Sequence, residues 1–193
     1  MAFVQFAGFL AWNETRNGPV IYDPILSLFN PVDVTGFTFF FTYLGISVGI
    51  LFSLRKPLTF YYLLTAILWI MLLRSICLYA VPLSPPPGMI LLRDSLLEST
   101  FYSGDVLTKD LFFSGHTSNV CLIAFLTQYR PLKIFLFILA FLVGSLVLAQ
   151  HVHYSIDVSA APIFAYFAYG LSQWSVNYFF IPKGTPIPKW TLW

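Results

Sequence analysis

Ser114, Gly115, His116 and Thr117 stand together in the middle of the otherwise apolar run DLFFSGHTSNV (110–120). A second polar cluster, HVHYSID (151–157), carries His153 and Asp157 four residues apart. In a helix that spacing puts both side chains on one face, so Asp157 can accept the Nδ1 proton of His153. The Nε2 lone pair then points outward, the arrangement that makes an imidazole a nucleophile or base and steadies it once charged. His116 supplies the complementary acid. Gly115 lets the backbone approach an anion, and Ser114 and Thr117 can donate hydrogen bonds to phosphoryl oxygens. Arg74 offers a planar fork for a phosphate, and Asp110 stands at the mouth as a further substrate contact.

Singly, each residue has a plainer explanation. A lone membrane histidine more often bonds a neighbouring helix than catalyses anything. Arg74 can snorkel to the interface, His151 reads as a boundary residue facing headgroups, and Arg93 and Lys109 read as loop charges. His116, His151, His153 and Asp157 together suggest a rival function, a divalent-metal site in a carrier or structural protein. Against it, a His-x-His pair on a helix points its rings to different faces. A non-catalytic membrane scaffold is the remaining alternative.

The elements that must position these residues are membrane helices. The 193-residue chain is 58% hydrophobic and 9% charged, where soluble domains carry about 25% charged residues. A formal charge of +2 gives no footprint for nucleic acid. Cys77 and Cys121 both lie in apolar runs and form neither a disulfide framework nor a zinc pattern. Five stretches are long enough to cross a bilayer, which takes about 20 mostly apolar residues: Val34–Leu54, Leu58–Ala80, Leu111–Tyr129, Lys133–His151 and Ile156–Ile181. The N-terminal MAFVQFAGFLAW is too short to span and reads as an interfacial segment or the end of a shortened crossing helix. The expected fold is therefore an all-α polytopic membrane bundle in one domain, 1–193. It has five full spans plus a short N-terminal helix, and lacks a secretory signal peptide.

Charge sets the expected orientation. Alternate threading puts Arg55, Lys56, Arg130, Lys133, Lys183 and Lys189 on one side and all eight acidic residues on or near the other. Short basic loops stay cytoplasmic, so the C-terminus is expected inside and the acidic face outside or lumenal. On that face a long connection, residues 81–110, opens with the helix-breaking VPLSPPPG and continues into an amphipathic piece, MILLRDSLLEST. It is expected to cover the site and hold its selectivity, with Glu98, Asp105 and Asp110 as candidates. Arg74 lies six residues before Ala80, and His116 six after Asp110, which places both about 9 Å below the outer surface. Deep charged residues normally face the bundle interior with partners, so Arg74, His116 and the His153–Asp157 pair are expected to share one pocket.

At these residues the sequence resembles a known group. FFSGHTS and HVHYSID are similar to the second and third motifs of the sphingomyelin synthase-like branch of the type 2 phosphatidic acid phosphatase superfamily, and RSICLYAVPLSPPPG (74–88) resembles its Arg-Ser…Pro-rich segment. The likeness runs from roughly Asp23 to Tyr169. It implies a six-helix membrane fold and a His–His–Asp triad, with His153 as nucleophile, Asp157 orienting it and His116 as acid/base. Two departures stand out. The first helix of six is cut to about a dozen residues, and the Lys-x6-Arg-Pro and Ser-Arg features of the wider superfamily's phosphatases are missing. Those cations would hold a dianionic phosphomonoester, whereas a phosphodiester carries one charge. The resemblance thus implies an enzyme that moves a phospho-headgroup from a glycerophospholipid to a lipid alcohol such as ceramide, through a phosphohistidine and without metal or other cofactor. A lipid phosphate phosphatase or phospholipase C-like hydrolase using the same triad is the alternative.

Overall fold

The computed structural model describes residues 2–93 and 107–181. Its described regular elements are helices: α1 (Ala2–Glu14), α2 (Thr35–Ser53), α3 (Pro57–Ala80), α4 (Gly115–Leu126), α5 (Arg130–Ala149) and α6 (Ser155–Phe179), with a 3-10 turn at Leu26–Leu28. The molecule is an all-helical membrane bundle. Of the expected spans, α2, α3 and α5 are both long and apolar enough to cross a bilayer. The third contracts: Leu111–Tyr129 is helical only over the 12 residues of α4. The fifth, α6, is 25 residues long but has Pro162 inside it and polar residues along one side. Proline also marks two helix entries, the second after a break at 127–129. Pro57 and Pro131 open α3 and α5, positions where a missing N–H costs nothing.

On α2, small and weakly polar residues face inward, and large apolar ones face outward. Thr38, Thr42, Gly45, Gly49 and Ser53 form the buried face of α2, while Phe37, Phe40, Ile50 and Leu51 on the same helix are exposed. Small residues let helix backbones approach closely, the usual basis of helix association in lipid. On α6, Ala161, Ala165, Ala168 and Ser172 play the same part. Hydrogen bonds then join α6 to α3: Tyr62 donates to Asn177 Oδ1 at 2.6 Å, Ser172 to the Tyr62 carbonyl at 2.7 Å, and Trp69 Nε1 to Ser175 Oγ at 3.2 Å. Such bonds contribute about 0.6 kcal/mol apiece in membrane proteins. The helix α4 sits at the centre, packed by α2, α3, α5 and α6.

One end of this bundle is roofed by residues 17–34, which hold the 3-10 turn, and residues 81–93, two segments joined by hydrogen bonds. Ser84 donates its N–H to the Pro19 carbonyl (3.1 Å) and its hydroxyl to the Gly18 carbonyl (2.6 Å). A Cβ on Gly18 would lie 2.3 Å from the Pro82 carbonyl oxygen, so backbone would have to move. Gly18→Ala is expected to cost about 1–3 kcal/mol, as overpacked sites do. It should appear as a lowered Tm in detergent and faster proteolysis within 17–34. Gly8→Ala, where nothing lies within 4 Å of the added carbon, is the control and should stay within about 0.5 kcal/mol. The expected amphipathic piece lies outside the described residues beyond Arg93, as do Asp94, Glu98, Asp105, Lys183, Lys189 and the closing PKWTLW.

Candidate active site

The roofed end gathers the N-termini of α2, α4 and α6 and the C-termini of α3 and α5. Each polar cluster of the sequence falls there because the chain leaves or enters a helix at that point. Ser114 precedes α4, and its N–H donates to the Asp157 carbonyl at 3.2 Å. This bond ties the first turn of α4 to the first turn of α6. His116 and His153, 37 positions apart in the chain, come together with ring centroids 6.4 Å apart and planes inclined at 66°. Phe39 of α2 flanks the His116 ring at 6.0 Å.

Asp157 is completely buried, and its Oδ2 lies 3.5 Å from His153 Nδ1. That is ion-pair distance and longer than a hydrogen bond. The carboxylate is held by the backbone instead, since the Tyr154 N–H donates to Oδ2 at 3.0 Å. Asp157 occupies the third position of α6, where free N–H groups and the helix dipole favour an anion. Because Nδ1 faces Asp157, Nε2 is the nitrogen of His153 available for chemistry.

Arg74 is buried, not snorkelled, with 4% of its surface exposed. One guanidinium nitrogen donates to the Phe113 carbonyl and another to Asp110 Oδ1. Gly115 is what allows this, because a Cβ there would lie 2.7 Å from Nη1 and 2.9 Å from Cζ. The fork expected for a phosphate thus spends two of its five donors on the protein, and Asp110, expected as a substrate contact, is its counter-ion. Ser114 and Thr117, expected to donate to phosphoryl oxygens, pair with each other at 3.2 Å. Thr117 also lines an apolar groove of about 360 Å³ among α4, α5 and α6.

Three residues gained importance only in the structure. His151, expected at the boundary, is 6% exposed, with φ at 55°, and its Nδ1 meets the Pro87 carbonyl at 3.2 Å. Asp23 bridges the roof to α6, accepting from the Ser155 N–H at 2.6 Å and from the Ile25 and Leu26 N–H groups. Burial pushes its carboxyl up, but the bonds from Ser155, Leu26 and Ile25 outweigh that and hold it below the ordinary carboxylate range. Glu14, at the end of α1, clamps the strand that leads to Asp110 by accepting from the Thr108 and Lys109 N–H groups at 2.7 and 2.6 Å. A local signal existed for Asp23, since Asp-Pro favours a turn; its bond to a residue 132 positions away had none. Among the described residues, no three His, Cys, Asp or Glu side chains are grouped to hold a metal ion.

A helical membrane bundle with two histidines and a buried aspartate at one end is the class of structure found. Within it, residues 109–174 match the family model described as PAP2 superfamily C-terminal. The match supports the type 2 phosphatidic acid phosphatase superfamily, and with it lipid phosphatase or phosphotransferase chemistry. It covers about a third of the chain and includes His116, His153 and Asp157 but not Arg74. No curated protein matches the chain.

Proposed function

We propose that this protein is a membrane lipid phosphotransferase of the sphingomyelin synthase-like kind, which moves a phospho-headgroup from a glycerophospholipid to a lipid alcohol. The observation that carries the reading is the 6.4 Å spacing of the two imidazoles, with Asp157 behind one of them. An attacking nitrogen needs about 3–3.5 Å to phosphorus, and an acid needs about 2.6–3.2 Å to the leaving oxygen. Rings this far apart leave space for one phosphate between them.

In the first step His153 Nε2 attacks phosphorus while the bond to the diacylglycerol oxygen breaks and His116 gives that oxygen its proton. The headgroup phosphate stays on Nε2, and Asp157 offsets the positive charge this puts on the ring. In the second step the neutral His116 takes the proton of the acceptor alcohol. The alkoxide oxygen bonds phosphorus, and the bond to Nε2 breaks. In this reading the N-terminal N–H groups of α4 and the Arg74 guanidinium meet the charge that develops on the phosphoryl oxygens. The absence from the sequence of the extra cations that would hold a phosphomonoester supports transfer over phosphate removal. The acidic, roofed end is exoplasmic in this reading and the C-terminus cytoplasmic, with the 81–110 connection over the site.

The test uses purified protein in mixed micelles with a donor phospholipid radiolabelled in its headgroup phosphate and increasing ceramide. Transfer predicts a labelled lipid product that rises with the added alcohol. Release of water-soluble phosphate or phospho-headgroup, indifferent to the alcohol, would assign the hydrolase instead.

A further inference from the structure

Both members of the Arg74–Asp110 pair are held from the last turn of α1. On the α3 side, Arg16 donates to the carbonyls of Leu78 at 3.0 Å and Tyr79 at 2.9 Å. The last turn of a helix leaves such carbonyls without helical partners, and Leu78 stands one turn beyond Arg74. The Arg16 guanidinium also lies 5.0 and 5.2 Å from the Trp12 and Tyr79 ring centroids. On the Asp110 side, Glu14 Oε1 accepts from the Thr108 and Lys109 N–H groups, and Oε2 accepts from the Thr108 hydroxyl at 2.9 Å. The Lys109 ammonium returns to α1, donating to the Glu14 and Arg16 carbonyls at 2.7 and 2.6 Å.

Asn13 joins the two sides. It is buried, its Nδ2 donates to the Lys109 carbonyl at 2.9 Å, and its Oδ1 accepts from Arg16 at 3.3 Å. The Lys109 carbonyl shares a rigid peptide plane with the N and Cα of Asp110, so the bond from Asn13 sets where the Asp110 side chain begins. Asp110 then holds one guanidinium nitrogen of Arg74, while another holds the Phe113 carbonyl. The same guanidinium lies against Gly115, the first residue of α4. Between them the Ser114 N–H is fixed to Asp157. The turn that carries His116 is thus placed from one side by Asp157 and from the other by Arg74.

We infer that Glu14 is a positioning residue for His116, acting through Asp110 and Arg74 on the first turn of α4. This deepens the transfer reading and rests on it for what His116 does. Without Glu14 the segment at 108–110 slackens, Asp110 drifts, and the guanidinium follows its counter-ion. The Phe113 carbonyl loses its fixed donor, and His116 is no longer held at one distance from His153.

Glu14→Ala removes all three bonds to 108–109. Glu14→Gln keeps them, since an amide oxygen can accept from both N–H groups and the amide NH₂ can donate to the Thr108 hydroxyl. Thr15→Ala, an exposed change in the same turn that leaves the join alone, is the control. With the full chain in mixed micelles, kcat of Glu14→Ala is expected to fall about 10–100-fold at little changed KM, the scale of a catalytic group displaced by about 1 Å. Glu14→Gln and Thr15→Ala should stay within about 2-fold. An Asp110→Asn background separates positioning from general damage. If Glu14 acts through Asp110, Glu14→Ala should there cost less than about 3-fold, whereas independent effects would multiply. In an active protein, an unchanged kcat for Glu14→Ala, or its full loss repeated in the Asp110→Asn background, overturns the role. Amide hydrogen exchange over residues 111–118 needs no turnover and should quicken in Glu14→Ala but not in Glu14→Gln. Quickened exchange in a protein that transfers no headgroup would retire the transfer reading and leave the hold on α4 standing; unchanged exchange removes that hold.

Discussion

Replacing His153 by alanine is expected to lower lipid turnover by roughly 10⁴–10⁶-fold, as loss of a nucleophile does in enzymes whose catalytic groups act as a unit. The protein should remain folded, because His153 makes one 3.5 Å contact with Asp157 and no shorter bond among the described residues. Asp157→Asn is the sharper companion. An amide oxygen can still accept from the Tyr154 N–H, so the first turn of α6 should persist. The amide cannot stabilise a positively charged ring, and an orienting aspartate so replaced loses about 10⁴-fold. His116→Ala should lose about 10²–10⁴-fold, the usual worth of one general acid. Brief incubation of wild type with a ³²P donor should label the protein in acid-labile form, and His153→Ala should carry no label. Turnover by His153→Ala within a few-fold of wild type would end the proposed mechanism.

Arg74→Ala is expected to have the largest effect on stability. The guanidinium joins α3 to the Phe113 carbonyl and to Asp110, so its loss frees the approach to α4 and strands a carboxylate. Breaking a fully buried pair costs about 3–5 kcal/mol. Asp110 keeps 30% of its side-chain surface exposed, so a loss of about 2–4 kcal/mol is expected here. Thermal unfolding in detergent measures it, and the double variant Arg74→Ala/Asp110→Ala tests the cause. If the pair is structural, removing the stranded carboxylate restores part of the lost Tm. No recovery, together with a rise in KM at unchanged stability for Arg74→Ala alone, would place Arg74 on the substrate.

Most of the helices and the His153–Asp157 pair were legible because each rests on a local rule. Apolar length marks the spans, proline marks the entries to α3 and α5, and the i,i+4 interval puts His153 beside Asp157. The contraction of α4 was not legible, since Leu111, Phe112 and Phe113 are as apolar as any membrane helix. Leu111 and Phe113 are buried without being helical, which only the surrounding helices make tolerable. The partners of Arg74 were hidden for a related reason. Asp110 reads as a substrate contact at the mouth, and its pairing depends on where α1 and Glu14 hold the segment before it. His151 looked like a surface residue because HVHY sits at a boundary, whereas the roof that buries it comes from residues 17–34.

The brevity of α4 has its own consequence. A helix in contact with acyl chains has its length dictated by bilayer thickness, but α4 is sheathed by four others and is released from that rule. Non-helical backbone at such a level is permitted where protein encloses it, so the chain can begin α4 late, with Leu111 and Phe113 buried ahead of its first turn. Under the proposed transfer, a lipid brought to His153 leaves the row of its neighbours and trades their company and its own hydration for the protein. On that proposal, easily extracted lipids, from loosely ordered or strongly curved membranes, are received at least expense.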